Sequence, residues 1–276
     1  MVAGTRDVDA APVAWREAGT GAPVAFLHGL GGSRTAWEPQ LDGLADSWRC
    51  LAWDLPGYGA SRPLPTTTFS ALADACAAWL TAADARPAHL VGLSMGGMVA
   101  LHTALHHPDA VRSLVLVDSS PAFGLDGVTT AEAWIEGRLA PLRAGATPAD
   151  IAPSVMRAIT APGTPDDVIA AAAAPMARIS AAALEAAVRC LPTHDLRAHL
   201  HLITVPTLVI VGELDAETPP CYSEHLAAHI PGARLVVVPG AGHLSNLERP
   251  DIVNRLVAEH LAALDDARSE ETARHA

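Results

Sequence analysis

The pentapeptide Gly92-Leu93-Ser94-Met95-Gly96 constrains this chain more than any other segment. It lies where the apolar run Ala88 to Leu93 gives way, with no intervening loop, to the helix-like stretch Met95 to His107. A strand that turns straight into a helix forces the apex residue into strained dihedrals, and leaves no room for side chains two positions before and after it. Gly92 and Gly96 meet that demand, and Gly97 gives further clearance. A serine at such an apex stands at the N-terminus of the following helix, whose dipole and free N–H groups favour a developing negative charge. The competing reading is a Gly-rich turn without chemistry, since five-residue matches also arise by chance. Context beyond the motif has to decide.

That context is a strand–helix rhythm. Pro23 to Leu27, Arg49 to Trp53, Ala88 to Leu93 and Ser113 to Val117 are short apolar runs that each end at a Gly, Asp or Ser, as parallel strands covered on both faces do. Helical segments lie between them. Thr35 to Ala45 opens with the capping-box pair Thr35 and Glu38, and Ser70 to Ala83 and Met95 to His107 have helix-like composition. The rhythm returns as strand Thr207 to Val211, helix Pro220 to Ile230, strand Arg234 to Val238 and helix Pro250 to Leu264, with a frayed tail expected over Asp265 to Ala276. From Pro121 to about Leu200 no run is strand-like; Ala-rich stretches are punctuated by Pro141, Pro148, Pro153, Pro162, Pro165, Pro175 and Pro192. The expectation is an α/β fold with a mostly parallel, doubly wound sheet from residues 1–120 and 201–276, and a helical cap, 121–200, inserted between two strands.

Composition narrows the partners. Half of the 276 residues are apolar, which excludes global disorder. The net charge is −12, and all 18 basic residues are Arg, so there is no diffuse basic footprint for nucleic acid or an anionic membrane. The longest plausible apolar stretch, Leu90 to Leu101, is Gly-broken and short of the ~18 residues a membrane span needs. Met1 to Ala10 carries two Asp and no apolar segment of secretory type, and Cys50, Cys76, Cys190 and Cys221 are scattered without a Cys-x-x-Cys. The expectation is a cytoplasmic protein with four buried thiols. Whether it is a homo-oligomer is left open.

A serine hydroxyl is a poor nucleophile without a base. His243, in Gly240-Ala241-Gly242-His243-Leu244, follows the Arg234 to Val238 strand, and Asp215, in Gly212-Glu213-Leu214-Asp215, follows the Thr207 to Val211 strand. The order Ser94, Asp215, His243 puts all three at carboxyl ends of strands, where open α/β sheets build their sites. His28-Gly29-Leu30-Gly31-Gly32 follows the first strong strand, so that the N–H groups of Leu30 and Met95 form a two-donor oxyanion hole. A dinucleotide loop fails there, because Arg34 stands where Gly-x-Gly-x-x-Gly needs its last glycine. Asp118 also follows a strand, but Ser119-Ser120-Pro121 after it suggests a cap at the entry to the insertion; Asp54 reads as turn architecture. His225 and His229 have metal-compatible i, i+4 spacing, yet Glu224 precedes the pair and surface histidines are favoured over zinc. His28 is read as loop-shaping and Cys221 as packing; His194, His199 and His201 either line the pocket mouth or are solvated. No metal or cofactor is expected.

With those residues in view, the chain resembles the α/β-hydrolase superfamily over essentially its whole length. The resemblance is carried by His28 to Gly32, Asp54-Leu55-Pro56-Gly57-Tyr58-Gly59-Ala60-Ser61, the Ser94 segment, Gly212 to Asp215 and Gly242-His243. Within it, Gly92 to Gly97, Asp215 to Pro220 and His243 to Glu248 are most similar to 3-oxoadipate enol-lactonases and their esterase relatives, which implies a helical cap over the site. Those lactonases usually carry Asn-Ser-Leu-Gly where this chain has His28 to Gly31. The resemblance implies a serine hydrolase of small-molecule carboxylic esters or lactones; Gly29, Trp134, Arg138, Arg143 and Leu244 are the expected substrate contacts. Of six cap arginines, Arg138 and Arg143 are singled out to meet a substrate carboxylate. Trp37, Met95 and Met98 are read as core before substrate contacts. Three rivals use the same scaffold: a C–C bond hydrolase of meta-cleavage type, disfavoured by Leu93 and Leu244; a perhydrolase or haloperoxidase; and a small-molecule receptor.

Overall fold

The computed structural model describes residues 4–9, 12–125 and 127–275, with side chains described as far as residue 265. Among these residues, eight strands form one sheet: β1 (Arg6–Val8), β2 (Trp15–Ala18), β3 (Pro23–Leu27), β4 (Arg49–Trp53), β5 (Ala88–Leu93), β6 (Val111–Val117), β7 (Thr207–Gly212) and β8 (Arg234–Val238). Their order is β1-β2-β4-β3-β5-β6-β7-β8. β1 and β2 are antiparallel additions at one edge, and the remaining pairs are parallel. Every residue of β5 and β7 is buried, which is why those segments, His89 and Thr207 apart, are apolar instead of alternating. β8 is half-exposed at the other edge. β1 and β2 carry no continuous apolar run, and their short, polar sequences gave no strand signal.

Among the described residues, ten α-helices follow in chain order: α1 (Glu38–Leu44), α2 (Phe69–Ala82), α3 (Met95–His106), α4 (Ala131–Arg143), α5 (Pro148–Ile159), α6 (Asp166–Ala177), α7 (Ala181–Cys190), α8 (Pro220–His229), α9 (Ser245–Glu248) and α10 (Pro250–His275). The expected Thr35 to Ala45 helix is divided. A 3-10 turn over Arg34–Trp37, capped by Ser33 and not by Thr35, precedes α1. α10 continues through the tail expected to fray, and the Trp48 indole donates to Asp265 (3.1 Å) within it; Ala276 lies outside the described residues.

Helices α4 to α7 lie between β6 and β7. Prolines do not simply separate them: Pro148 opens α5 and Pro165 precedes α6, but Pro141, Pro153 and Pro175 lie inside helices. A capping box of Thr147 and Asp150 starts α5 instead. The segment leaves and re-enters the sheet through one neck, where Ala122 bridges Asp195, Phe123 N–H donates to the His194 carbonyl (2.9 Å) and Leu196 N–H to that of Pro121 (2.8 Å). No single described helix is long and apolar enough to cross a membrane.

Candidate active site

Ser94 sits at φ 53° and ψ −120°, the strained apex between β5 and α3. The surrounding glycines have identifiable reasons. A Cβ on Gly92 would strike the Gly96 carbonyl, and one on Gly96 would strike the Leu27 carbonyl at the end of β3. Gly29 lies so close that a Cβ there would stand 3.1 Å from that of Ser94. Main-chain bonds hold the apex: Ser94 N–H donates to the Val117 carbonyl (2.9 Å), and the Ser119 hydroxyl donates to the Ser94 carbonyl (2.9 Å).

The loops after β7 and β8 bring Asp215 and His243 to this serine. His243 Nε2 lies 3.0 Å from Ser94 Oγ, and its Nδ1 lies 2.9 Å from Asp215 Oδ2 and 3.0 Å from Oδ1. Asp215 is fixed in turn by the N–H groups of Glu217 (2.9 Å) and Thr218 (3.0 Å) and by the Thr218 hydroxyl (2.8 Å). Burial raises the Asp215 pKa, but the neighbouring His243 charge and these hydrogen bonds outweigh it and hold the group below its ordinary value. For His243, burial lowers the pKa; the charge and hydrogen bond of Asp215, backed by Asp118 and Glu217, override it and carry the imidazole up to about 9.

The His28 to Gly32 loop lines the space beside Ser94 and is held by its own hydrogen bonds. The His28 ring donates from Nδ1 to the Gly29 carbonyl (2.9 Å), accepts the Leu55 N–H at Nε2 (3.0 Å) and stacks on Tyr58. Gly32 N–H closes a tight turn onto the Gly29 carbonyl (3.1 Å). Leu30 N–H makes no hydrogen bond among the described residues, and Met95 N–H, first in α3, has no intrahelical acceptor. Two donors are therefore free beside Ser94.

Two chambers meet at Ser94 and His243. The first is lined by the His28 to Gly32 loop, Leu244 and apolar side chains of the insertion, among them Ile151, Met156, Met176 and Val188. The second holds Met98, Ser120, Glu217, Thr218 and Cys221. Trp134, Arg138, Leu191 and Glu217 border both. The structure thus brings Ser94, Asp215, His243, Leu30, Gly29, Trp134, Arg138 and Leu244 together. Trp37 is core, and Met95 is buried and offers only its backbone.

Several expectations are corrected. Arg143 does not reach the chambers; it pairs with Glu136 and is exposed, because it lies at the far end of α4 from Trp134. Arg138 does border them, but it pairs with Glu217 (2.5 Å) and lies over the Trp134 ring (5.2 Å), so its charge is already balanced. Asp118 is no cap for the insertion. Fully buried, it accepts the Gly212 N–H at Oδ1 (2.8 Å) and the Ser245 N–H and hydroxyl at Oδ2 (3.0 and 2.7 Å), tying the ends of β6 and β7 to the start of α9. Burial, then repulsion from Asp215, raises its pKa to about 7. Cys221 is exposed, unlike the other three cysteines. His194 is buried against the Ser120 carbonyl (2.9 Å) and His102 (3.2 Å), while His199 and His201 are exposed and line neither chamber. His225 and His229 stack on each other, and no group of metal-ligating residues occurs among the described residues.

Three residues around the site escaped sequence reasoning. Thr218 and Glu217 follow Asp215 at the spacing of a side-chain turn, a signal that was present but unread. Glu248 carries no signal of its own in the sequence, because nothing local marks a carboxylate that folds back on its own loop.

The fold and sequence have counterparts among known proteins. The family described as alpha/beta hydrolase fold matches residues 22–250. A pimeloyl-[acyl-carrier protein] methyl ester esterase of Neisseria meningitidis is 36% identical over 228 residues, 80% of this chain and 86% of that protein. Among solved structures, a thermophilic esterase from Thermogutta terrifontis is 30% identical with a TM-score of 0.82, covering 95% of this chain and 99% of the other. The enol-lactonase from Burkholderia xenovorans LB400, at 24% identity, shares the fold with a TM-score of 0.83 over 93% of this chain and 100% of its own. A strained serine between β5 and α3, an eight-stranded sheet in this order and a family match spanning most of the length lead to one conclusion: this chain belongs to the α/β-hydrolase family.

Proposed function

We propose that this protein is a cofactor-independent serine hydrolase of uncharged carboxylic esters or lactones, acting through an acyl-enzyme on Ser94. The observation that carries the reading is the unbroken hydrogen-bonded line Asp215–His243–Ser94 beside two free N–H donors. Ser94 Oγ attacks the carbonyl carbon as His243 Nε2 takes its proton; the N–H groups of Leu30 and Met95 hold the oxyanion. Asp215 keeps Nδ1 protonated and stabilises the imidazolium, which then gives its proton to the leaving alkoxide. Water, deprotonated by His243, releases the acid. Residues 121–200 serve as a cap whose apolar side chains favour a hydrophobic group over bulk water. The 36% identical esterase supports an ester as substrate.

A panel of neutral p-nitrophenyl esters and lactones tests this reading. Saturable turnover with an initial burst of p-nitrophenol is expected; binding without turnover across the panel would turn the assignment into a receptor. The pH profile adds a second check. Only the neutral imidazole can act as base, so kcat/KM is expected to climb between pH 7 and about 9 and then level. A plateau already reached by pH 6 would remove His243 as the titrating base.

The Arg138–Glu217 pair makes a prediction about charge. Both side chains are about one-third exposed, so the pair is worth at most ~1 kcal/mol. Glu217→Gln frees the guanidinium, and the ratio of kcat/KM for a carboxylate-bearing ester to that for its neutral analogue is expected to rise a few-fold. An unchanged ratio would show that Arg138 does not meet the substrate.

A further inference from the structure

Four consecutive backbone N–H groups around His243 each have a fixed acceptor. Gly242 donates to both carboxylate oxygens of Glu248 (3.1 and 3.2 Å), His243 to the Ile159 carbonyl (2.9 Å), Leu244 to Glu248 Oε1 (3.1 Å) and Ser245 to Asp118 Oδ2 (3.0 Å). One carboxylate therefore clasps the peptide on both sides of the histidine. Its Oε2 also accepts the Ala161 N–H (2.8 Å) and the Thr164 hydroxyl (2.9 Å), both from the turn between α5 and α6. Glu248 is 8% exposed, and no cationic side chain bonds its carboxylate among the described residues. A buried charge without a counter-ion is costly unless charge-assisted hydrogen bonds replace its water. Here every one of those donors belongs to the histidine loop or to the insertion, so the compensation itself joins the two.

We propose that Glu248 is a positioning residue for the base: its carboxylate fixes the loop on both sides of His243 and bolts it to the α5–α6 turn of the insertion. The proposal rests on the reading of His243 as general base. An imidazole has only two side-chain torsions, so the place of Nε2 between Asp215 and Ser94 follows the backbone that carries it. A consequence concerns the cap. Opening at the α5–α6 end would pull on the His243 loop through these Glu248 bonds.

The test uses Glu248→Gln, which keeps the size and one carbonyl oxygen but turns an NH2 group toward N–H donors. Loss of alignment on the scale of 1 Å costs ~100-fold, so kcat is expected to fall about 10- to 100-fold with KM within about twofold. The kcat/KM midpoint is expected to move down from about 9 as the Asp215 contact loosens, and the far-downfield proton resonance of the His243 Nδ1–H is expected to shift or broaden. In a His243→Ala background, the same substitution adds no further loss. A destabilised Glu248→Gln with unaltered kcat, midpoint and resonance below its melting temperature would make Glu248 merely structural and overturn the proposal. An additive loss in the His243→Ala background would also overturn it. If His243→Ala itself retains full turnover, the reading of the base fails; if that variant is inactive and Glu248→Gln is unaffected, only the positioning role fails. Should Glu248→Gln not fold, Glu248→Asp and Thr164→Val carry the same readouts, with a smaller kcat loss in the same direction expected and none overturning the proposal.

Discussion

Asp215→Asn is expected to lower kcat about 10⁴-fold with the fold retained. The reason is the tautomer. Asp215 accepts from His243 Nδ1 at 2.9 Å and thereby keeps Nε2 free to receive the Ser94 proton. An Asn amide in the same place can donate to Nδ1, which puts the imidazole proton on Nε2, facing the nucleophile. The Thr218 hydroxyl and the two N–H groups that now hold the carboxylate would keep the new side chain in position, so the defect is one of protonation and not of collapse. Asp118→Asn provides the contrast. Asp118 touches the Gly212 and Ser245 N–H groups, not the imidazole, and is expected to cost far less. Its negative charge does help to raise the His243 pKa, so removing it should displace the kcat/KM profile toward lower pH. Steady-state kinetics of both variants from pH 6 to 10 checks the pair; a larger loss at Asp118 would move the acid to the end of β6.

The comparison of these two aspartates indicates what a sequence like this can reveal. Both follow apolar strands, and chain order together with the run of residues after Asp118 favoured Asp215, which the geometry joins to His243. What Asp118 does was not legible, because its partners Gly212 and Ser245 are 94 and 127 residues away. The same limit applies to the cap. Its helical nature is written in the absence of strand-like runs, but which arginine borders the chambers depends on how α4 is rotated against the loop after β7. Arg138 and Arg143 are indistinguishable by composition; only Arg138 meets Trp134 and Glu217. The parallel strands were legible since burial on both faces demands continuous apolar runs. Residues 6–8 and 15–18 form an edge that needs no such run, and their pairing through Arg6, Arg16 and Glu17 reads locally as a polar loop.

Ser94→Ala is expected to lower kcat at least ~10³-fold, because the site loses its only covalent route while the oxyanion donors and chambers remain. Alanine keeps a Cβ at φ 53°, so the strain at the apex is retained and little change in melting temperature should follow. That separates lost chemistry from lost structure at one position. The residual rate belongs to the Leu30 and Met95 donors acting on water attack, and should therefore lose the burst phase along with the acyl-enzyme. Covalent labelling sharpens the test, since the second chamber also contains the exposed thiol of Cys221. A fluorophosphonate or sulfonyl fluoride is expected to add one group to the wild type, on the peptide bearing Ser94, and none to Ser94→Ala. Cys221→Ser is expected to label and turn over as the wild type does. Adduct on Cys221, or turnover surviving in Ser94→Ala with its burst intact, would place the nucleophile on the other side of His243 and leave the serine as an ordinary strand–helix turn.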